Sequence, residues 1–479
     1  MKKLIFLVSL MGLHLHAQIV YQPDEVDIPA EPIGGAVLLN EFIAANIQIP
    51  FSSAYKGLNK RVVVKGVVET DGSMSGLKIF KGWDTLCNQE AIRLLGLFKA
   101  WKPASVKGND VRQQATYPVI FRSEVNPSFD STSWAMVNYY NDRFKLMGDA
   151  QAAKYRSVLP LDPNGNIKSD IVYQERNELG KWKKLIVIPF RRKSFWYKET
   201  SLSLDSVRAF TLSAEDPRGV NYVPIVTVNE NGNLLAYQEY NHLGGRLSEA
   251  RYYYLNGVLK ERKVFLDSTY LDTRWFKNGQ LHKTTQRESS LFENTDELQV
   301  LTLWDEHGRQ MVKEGNGWYK IVNERKVSEP VVEEGEIVFG KRHGKWTSKL
   351  ADSTIYCEEL YEHGKFIEGR VDTNGESITY LEKIKQPYFK GGMNALNQFL
   401  SKNIQYPQNT ILLGPGPRVI ISFTIEENGR VNDCKVLKGA TPSFDRQALK
   451  VGCKMNGMWR PGMFRGKNVP FKYNLPIGF

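Results

Sequence analysis

The sequence is poor in cysteine and histidine and has no long apolar run. Its four cysteines, Cys87, Cys357, Cys434 and Cys453, include no CxxC pair and have no histidine clustered with them, which argues against a zinc site. Cys434 and Cys453 are the only two close in sequence, and a disulfide or two separate thiols both remain open. Outside the first segment the histidines stand alone at His242, His282, His307, His343 and His363, and the last three directly precede a glycine, as turn residues do. HExxH, GxSxG and P-loop patterns are absent, and the prolines of GPGP (414–417) remove the N–H groups that would cradle a phosphate. No catalytic constellation is left, so neither an enzyme nor a cofactor, a metal or a small-molecule substrate is expected. Lysine and arginine number 64 against 52 acids, a net charge of +12, but they form no dense run. That distribution reads as a solvated basic surface and predicts no nucleic-acid partner.

What is present begins at the N-terminus. MKKLIFLVSLMGLHLHA (1–17) joins two lysines to an apolar run of about ten residues ending at Ala17, the layout of a secretory leader and too short for a membrane span. Cleavage there makes Gln18 the first mature residue and sends the chain to the periplasm. An uncleaved anchor, which would leave the chain membrane-associated, is the competing reading. At 479 residues the remainder is long enough for about three domains.

The chain repeats itself. Gly34 to Phe98 aligns without a gap on Gly391 to Met455, and after one inserted residue WKPA (101–104) meets WRPG (459–462) and PVIF (118–121) meets PIGF (476–479). Leu39, Phe42 and Ile43, like Leu396, Phe399 and Leu400, fall at i, i+3, i+4 and predict a short amphipathic helix. Asn46 and Asn403 are expected to end it in the left-handed conformation, and Pro50 and Pro407 to forbid its resumption. Alternating Val62, Val64 and Val68 before Asp71-Gly72, and Val419, Ile421, Phe423 and Ile425 before Asn428-Gly429, predict a β-hairpin in each copy. A second helix and a last strand follow, Val111 to Phe121 and Val469 to Phe479. A three-stranded sheet of this kind has edges that offer unpaired backbone groups.

In its order GG, F(I/L), NIQ(I/Y)P, alternating strand, DG or NG, KG, helix, W(K/R)P(A/G) and final strand, each copy resembles the TonB C-terminal domain in the form common among Bacteroidetes envelope proteins. The resemblance covers roughly 30–123 and 385–479 and implies a periplasmic module that adds a TonB-box peptide of an outer-membrane receptor to a sheet edge. Carried over by position, it places the docking strands at Arg112, Gln114 and Thr116 in the first copy and at Val469, Phe471, Tyr473 and Leu475 in the second. The family's Tyr-Pro element falls at Tyr406 and Pro407; the first copy has Ile49-Pro50 instead.

Between the copies, NENG (229–232), LNG (255–257), KNG (277–279) and EHG (306–308 and 362–364) punctuate short aromatic and β-branched runs, which predicts a stack of hairpins. RYYYLNGVLKE (251–261) and GKRHGKW (340–346) are similar to MORN-type repeats, also found in YwqK-like proteins, and imply a scaffold. In 124–219, the stretch 133–158 admits a helix and KKLIVIPF (183–190) a buried strand.

The sequence thus predicts a leader (1–17) and two α+β terminal domains of helix, β-hairpin, helix and strand (30–123 and 385–479). These flank a mostly β, repeat-containing middle (220–380) and an unassigned α/β linker domain (124–219). The function expected is that of an exported binder of extended peptides, its partner an outer-membrane TonB-dependent receptor or another envelope protein. The alternatives are a scaffold that self-associates, as a homodimer for instance, and an anchored energy transducer if the leader is retained.

Overall fold

The computed structural model describes residues 19–126, 128–199, 205–216, 220–240, 247–266, 269–288, 298–323, 331–350, 355–373, 376–406 and 417–479. The leader, Pro407 and most of GPGP therefore lie outside the described residues. The chain forms two compact units, Met1–Glu293 with Val300–Gln310, and Asn294–Gln299 with Met311–Phe479.

In the first unit the helix Gly35–Asn46 buries Leu39, Phe42 and Ile43, the stripe read from the sequence. Removing Phe42 wholly from water stabilises by roughly 2–3 kcal/mol. Gly34 and Gly35 enter this helix at φ +76° and +74°, and Gly391 and Gly392 repeat the entry at +90° and +76°, a backbone that only glycine adopts without strain. The exit differs from expectation. Asn46 is helical, not left-handed, and Ile47 after it is already extended. Asn46 ends the helix through its side chain, whose Nδ2 donates to the Phe42 carbonyl at 2.9 Å; Asn403 does the same to Phe399 at 2.8 Å.

The sheet of this copy centres on Lys56–Val68, antiparallel to Met74–Lys81 on one side and to Asn109–Val125 on the other. The helix Thr85–Leu97 covers it with Ala91, Leu94 and Leu95. At the hairpin turn a Cβ on Gly72 would stand 2.7 Å from the Trp101 carbonyl oxygen, and one on Gly429 2.3 Å from that of Trp459. Close backbone approach therefore explains why the DG or NG turn and the WKP or WRP corner occur together in each copy.

The stretch 133–158 holds no helix. Its strands Ala135–Tyr140 and Tyr155–Pro160 pair with each other, and Tyr155–Pro160 pairs with Ile171–Arg176. KKLIVIPF forms the strand Trp182–Ile188, but at the edge of its sheet, with Leu185 and Ile186 exposed. Among its described residues the linker expected to be α/β has strands and no helix.

From Phe190 to Glu288 successive strands form an antiparallel meander with glycine turns. Its hairpin ends Tyr253, Val258, Leu259, Trp275 and Leu281 share one core with Phe42, Leu94 and Phe98 of the first copy. Two polar contacts fix this seat: Leu259 N donates to Asn46 Oδ1 at 2.6 Å and Lys99 N donates to the Asn278 carbonyl at 2.7 Å.

The second unit carries a similar meander, with strands at Asn316–Asn323, Val331–Val338, Lys341–Lys349, Ile355–Glu362, Lys365–Thr373 and Glu376–Tyr380. Two glycines lie under cross-strand aromatic rings: Gly335 opposite Trp346 and Gly369 opposite Tyr380. A Cβ on either would stand within 2.4 Å of the ring. The second copy follows with helices Gly392–Asn403 and Pro442–Lys454 and a three-stranded sheet ordered Val431–Lys438, Arg418–Ile425, Phe471–Gly478.

Its seat is a charge cluster. Arg465, at the tip of the hairpin between Gly462–Phe464 and Lys467–Val469, reaches Glu359 at 2.7 Å and Glu333 at 3.7 Å, and Lys383 approaches Glu359 at 3.3 Å. Tyr361 and Tyr380 donate to the two oxygens of Glu359 at 2.8 and 2.9 Å.

Candidate functional site

The strand Phe471–Gly478 pairs antiparallel with Arg418–Ile425 from Ile425↔Phe471 to Arg418↔Gly478. Along its other side no strand pairs with it among the described residues. Alternation sets the side chains: Phe471 and Tyr473 are half-buried, Leu475 and Ile477 buried, and Lys472, Asn474, Pro476 and Gly478 exposed. Tyr473 stands 4.8 Å from Trp459 and 5.8 Å from Phe423, so its ring belongs to the core face. Phe471 lies over Gly462, where a Cβ would meet its ring at 2.4 Å. Val469 is half-buried in the preceding hairpin, opposite Gly462. Tyr406 is 56% exposed, its ring 6.2 Å from Phe479 at the far end of the strand. What the strand presents outward is therefore backbone, with polar and proline side chains beside it. Pro476, which donates no N–H, is tolerated because this is an edge.

The corresponding strand of the first copy, Asn109–Val125, carries the other three expected site residues, and part of its edge is taken. Val20↔Arg112 and Tyr21↔Gln113 form a short parallel pairing, and Gln114 Nε2 donates to Gln22 Oε1 at 3.0 Å. Arg112 Nε donates to Glu69 at 2.6 Å, and this bond holds the Glu69 carboxyl below the usual carboxylate range. Gln114 is half-buried opposite Val67, and Thr116 is exposed opposite Lys65. Nothing in the sequence pointed to Val20 and Tyr21, since a two-residue strand has no periodicity to read.

A shallow hollow of about 550 Å³ beside the second sheet is lined by Ser422, Thr424, Asp433, Cys434, Lys435 and Lys472. It brings together neither a histidine nor a pair of carboxylates. Cys434 and Cys453 are free thiols, the former half-buried and the latter exposed; burial and the neighbouring Cys453 thiol push Cys434 up to about 12. Among the described residues no group of His, Cys, Asp or Glu is arranged to hold a metal ion, and no helix is long and apolar enough to cross a membrane.

The family model described as Gram-negative bacterial TonB protein C-terminal matches residues 402–479. The match starts at the end of the helix Gly392–Asn403 and takes in the hairpin, the second helix and the open strand. This part of the chain is thus similar to a TonB-type domain, a non-enzymatic energy-transduction and protein-interaction module of the bacterial envelope linked to TonB-dependent transport. Domains of that type interact with outer-membrane TonB-dependent receptors. Comparison with curated proteins gives no match.

Proposed function

We propose that the chain is an exported periplasmic protein whose C-terminal domain captures extended, TonB-box-like peptide segments by adding them as a strand to Phe471–Gly478. The observation that carries this reading is the open edge of that strand within the segment similar to a TonB domain. Strand addition supplies affinity through backbone hydrogen bonds and choice through alternating side chains. Lys472 and Asn474 border the incoming backbone, while Tyr473 and Leu475 hold the strand on its core. The hairpin meanders act as platforms that seat each terminal domain.

The test is a titration of the full chain with peptides of TonB-box type, followed by backbone amide NMR or hydrogen exchange. Protection confined to Phe471–Ile477 is the expected result; unchanged amides along that strand would sink the reading. The second reading, a scaffold that associates through its own sheets, draws on the first copy, whose edge already pairs with its own chain. Light scattering that shows a concentration-dependent dimer, together with silent peptide titrations, would favour it.

A further inference from the structure

The first sheet edge has an occupant of its own. The segment that supplies it is anchored downstream at several points. Asp27 N and Ile28 N donate to the Ser105 carbonyl, and Ser105 N donates to the Ile28 carbonyl at 2.9 Å. Lys107 N donates to the Asp27 carboxylate at 2.7 Å, Ala30 N donates to Gln113 Oε1 at 2.7 Å, and Glu31–Pro32 pairs with Trp101–Lys102. Upstream of that anchor a turn closed by Glu25 N donating to the Gln22 carbonyl at 3.1 Å brings Val20 and Tyr21 alongside Arg112 and Gln113. A strand tethered this closely faces the edge at an effective concentration on the order of millimolar, which an untethered peptide has to exceed.

The second copy shows what opens when this arrangement is missing. By the repeat offset the counterparts of Val20 and Tyr21 are Ser377 and Ile378, which lie within the strand Glu376–Tyr380 and pair with Asp372 and Val371 of their own meander. Arg112 corresponds to Pro470, which has no N–H and interrupts the run between Lys467–Val469 and Phe471–Gly478. Glu426, the counterpart of Glu69, therefore has no arginine at that position to pair with.

We infer that the segment Ile19–Gln22, through its strand Val20–Tyr21, acts in cis to keep the peptide edge of the first sheet shut. The edge at Arg112–Gln114 takes a parallel extended segment of the pattern β-branched, aromatic, glutamine, and admits one from outside only when its own strand has left. The inference rests on the strand-addition reading only for the nature of the outside peptide; closure itself is a property of the described pairing.

The test uses the full chain and the double variant Val20→Pro/Tyr21→Pro, which removes both backbone donors of the short strand. Amide hydrogen exchange at Arg112–Gln114 is expected to be at least tenfold faster in the variant, with Phe471–Ile477 unchanged. A labelled peptide of sequence IVYQPD, that of residues 19–24, is expected to bind the variant at least tenfold more tightly than the unaltered chain. Exchange at Arg112–Gln114 that is the same in both chains overturns the inference. Equal peptide binding by both does so too, as does a dimer of the unaltered chain whose protection at Arg112–Gln114 is lost on dilution, since the strand would then come from a second copy. If the double variant loses its cooperative unfolding transition, Tyr21→Pro alone is read by the same two criteria. A TonB-box-type peptide that fails to protect Phe471–Ile477 counts against the earlier reading alone, because the exchange measurement reports on the first edge without any outside ligand.

Discussion

Arg465 Nε donates to Glu359 Oε1 at 2.7 Å between side chains that are 6% and 2% exposed, which makes this ion pair part of an interior. The pair closes the second copy onto its own hairpin meander, and Arg465 reaches it from a turn held at φ +51°. Removing one partner of a buried pair costs far more than the pair itself contributes, because the other charge stays in a poor solvent. Lys383 remains beside Glu359 to soften the loss. Arg465→Ala is therefore expected to cost about 3 kcal/mol, the lower part of the range for such deletions. A fall in the urea midpoint of the unit's transition at unchanged slope would show it.

The same cluster sets an acid limit. Burial pushes the Glu359 carboxyl up, but Arg465, Lys383 and the Tyr361 hydroxyl outweigh it and hold the group down at about 2, against an ordinary 4.5. Glu333 is also held low, with Arg342 and Arg465 outweighing its burial. A carboxyl depressed by folding contributes stability that is complete above its unfolded value and drains away as pH falls towards its folded one. For Glu359 the amount is about 3 kcal/mol. Stability of the C-terminal unit is expected to drop between pH 4.5 and 2, and Glu359→Gln to flatten that part of the profile when unfolding is followed by circular dichroism.

Asn46 and Asn403 occupy equivalent places with unequal duties. Both bond the carbonyl four residues back, but Asn46 is 1% exposed and also accepts from Leu259 N, whereas the second contact of Asn403 is an exposed one to Lys454 at 3.4 Å. Asn46→Ala leaves a buried N–H without an acceptor and is expected to cost about 1–3 kcal/mol. Asn403→Ala is expected to cost less than about 1 kcal/mol, since water replaces what it loses. Paired chemical denaturation curves of the two variants decide this.

Gly369→Ala places a methyl group 2.2 Å from the Tyr380 ring, whose hydroxyl is tied to Glu359. The ring cannot swing away without breaking that bond, so overpacking of about 1–3 kcal/mol is expected. Thermal unfolding of this variant beside Gly148→Ala, where a Cβ meets nothing, separates crowding from any general effect of the substitution.

Much of the architecture could be read from the residues where local pattern and burial agree. The Leu39, Phe42, Ile43 stripe and the alternation around Gly72 and Gly429 each name their own element, and a second copy of the same order removes coincidence. The stretch 133–158 admitted a helix, but Ala135 and Val137 are buried at a period of two and Asn141 starts a turn by accepting from Arg143 N and Lys145 N. KKLIVIPF shows that an apolar run does not by itself say where a strand lies in its sheet. The duty of Asn46 was not readable, because its second partner lies 213 residues further on.

Duplication begins with two interchangeable parts, and the seats described above have ended that interchange. The first copy meets its platform through a helix end, the second through a hairpin tip, so the positions under constraint are Asn46 in one and Arg465 in the other. Their counterparts, Asn403 and Lys107, have surface surroundings and a lighter burden. A tolerated substitution in one half is thus no guide to the other, and grafting the first terminal domain onto the second platform would confront the buried acid Glu359 with Lys107 in place of Arg465.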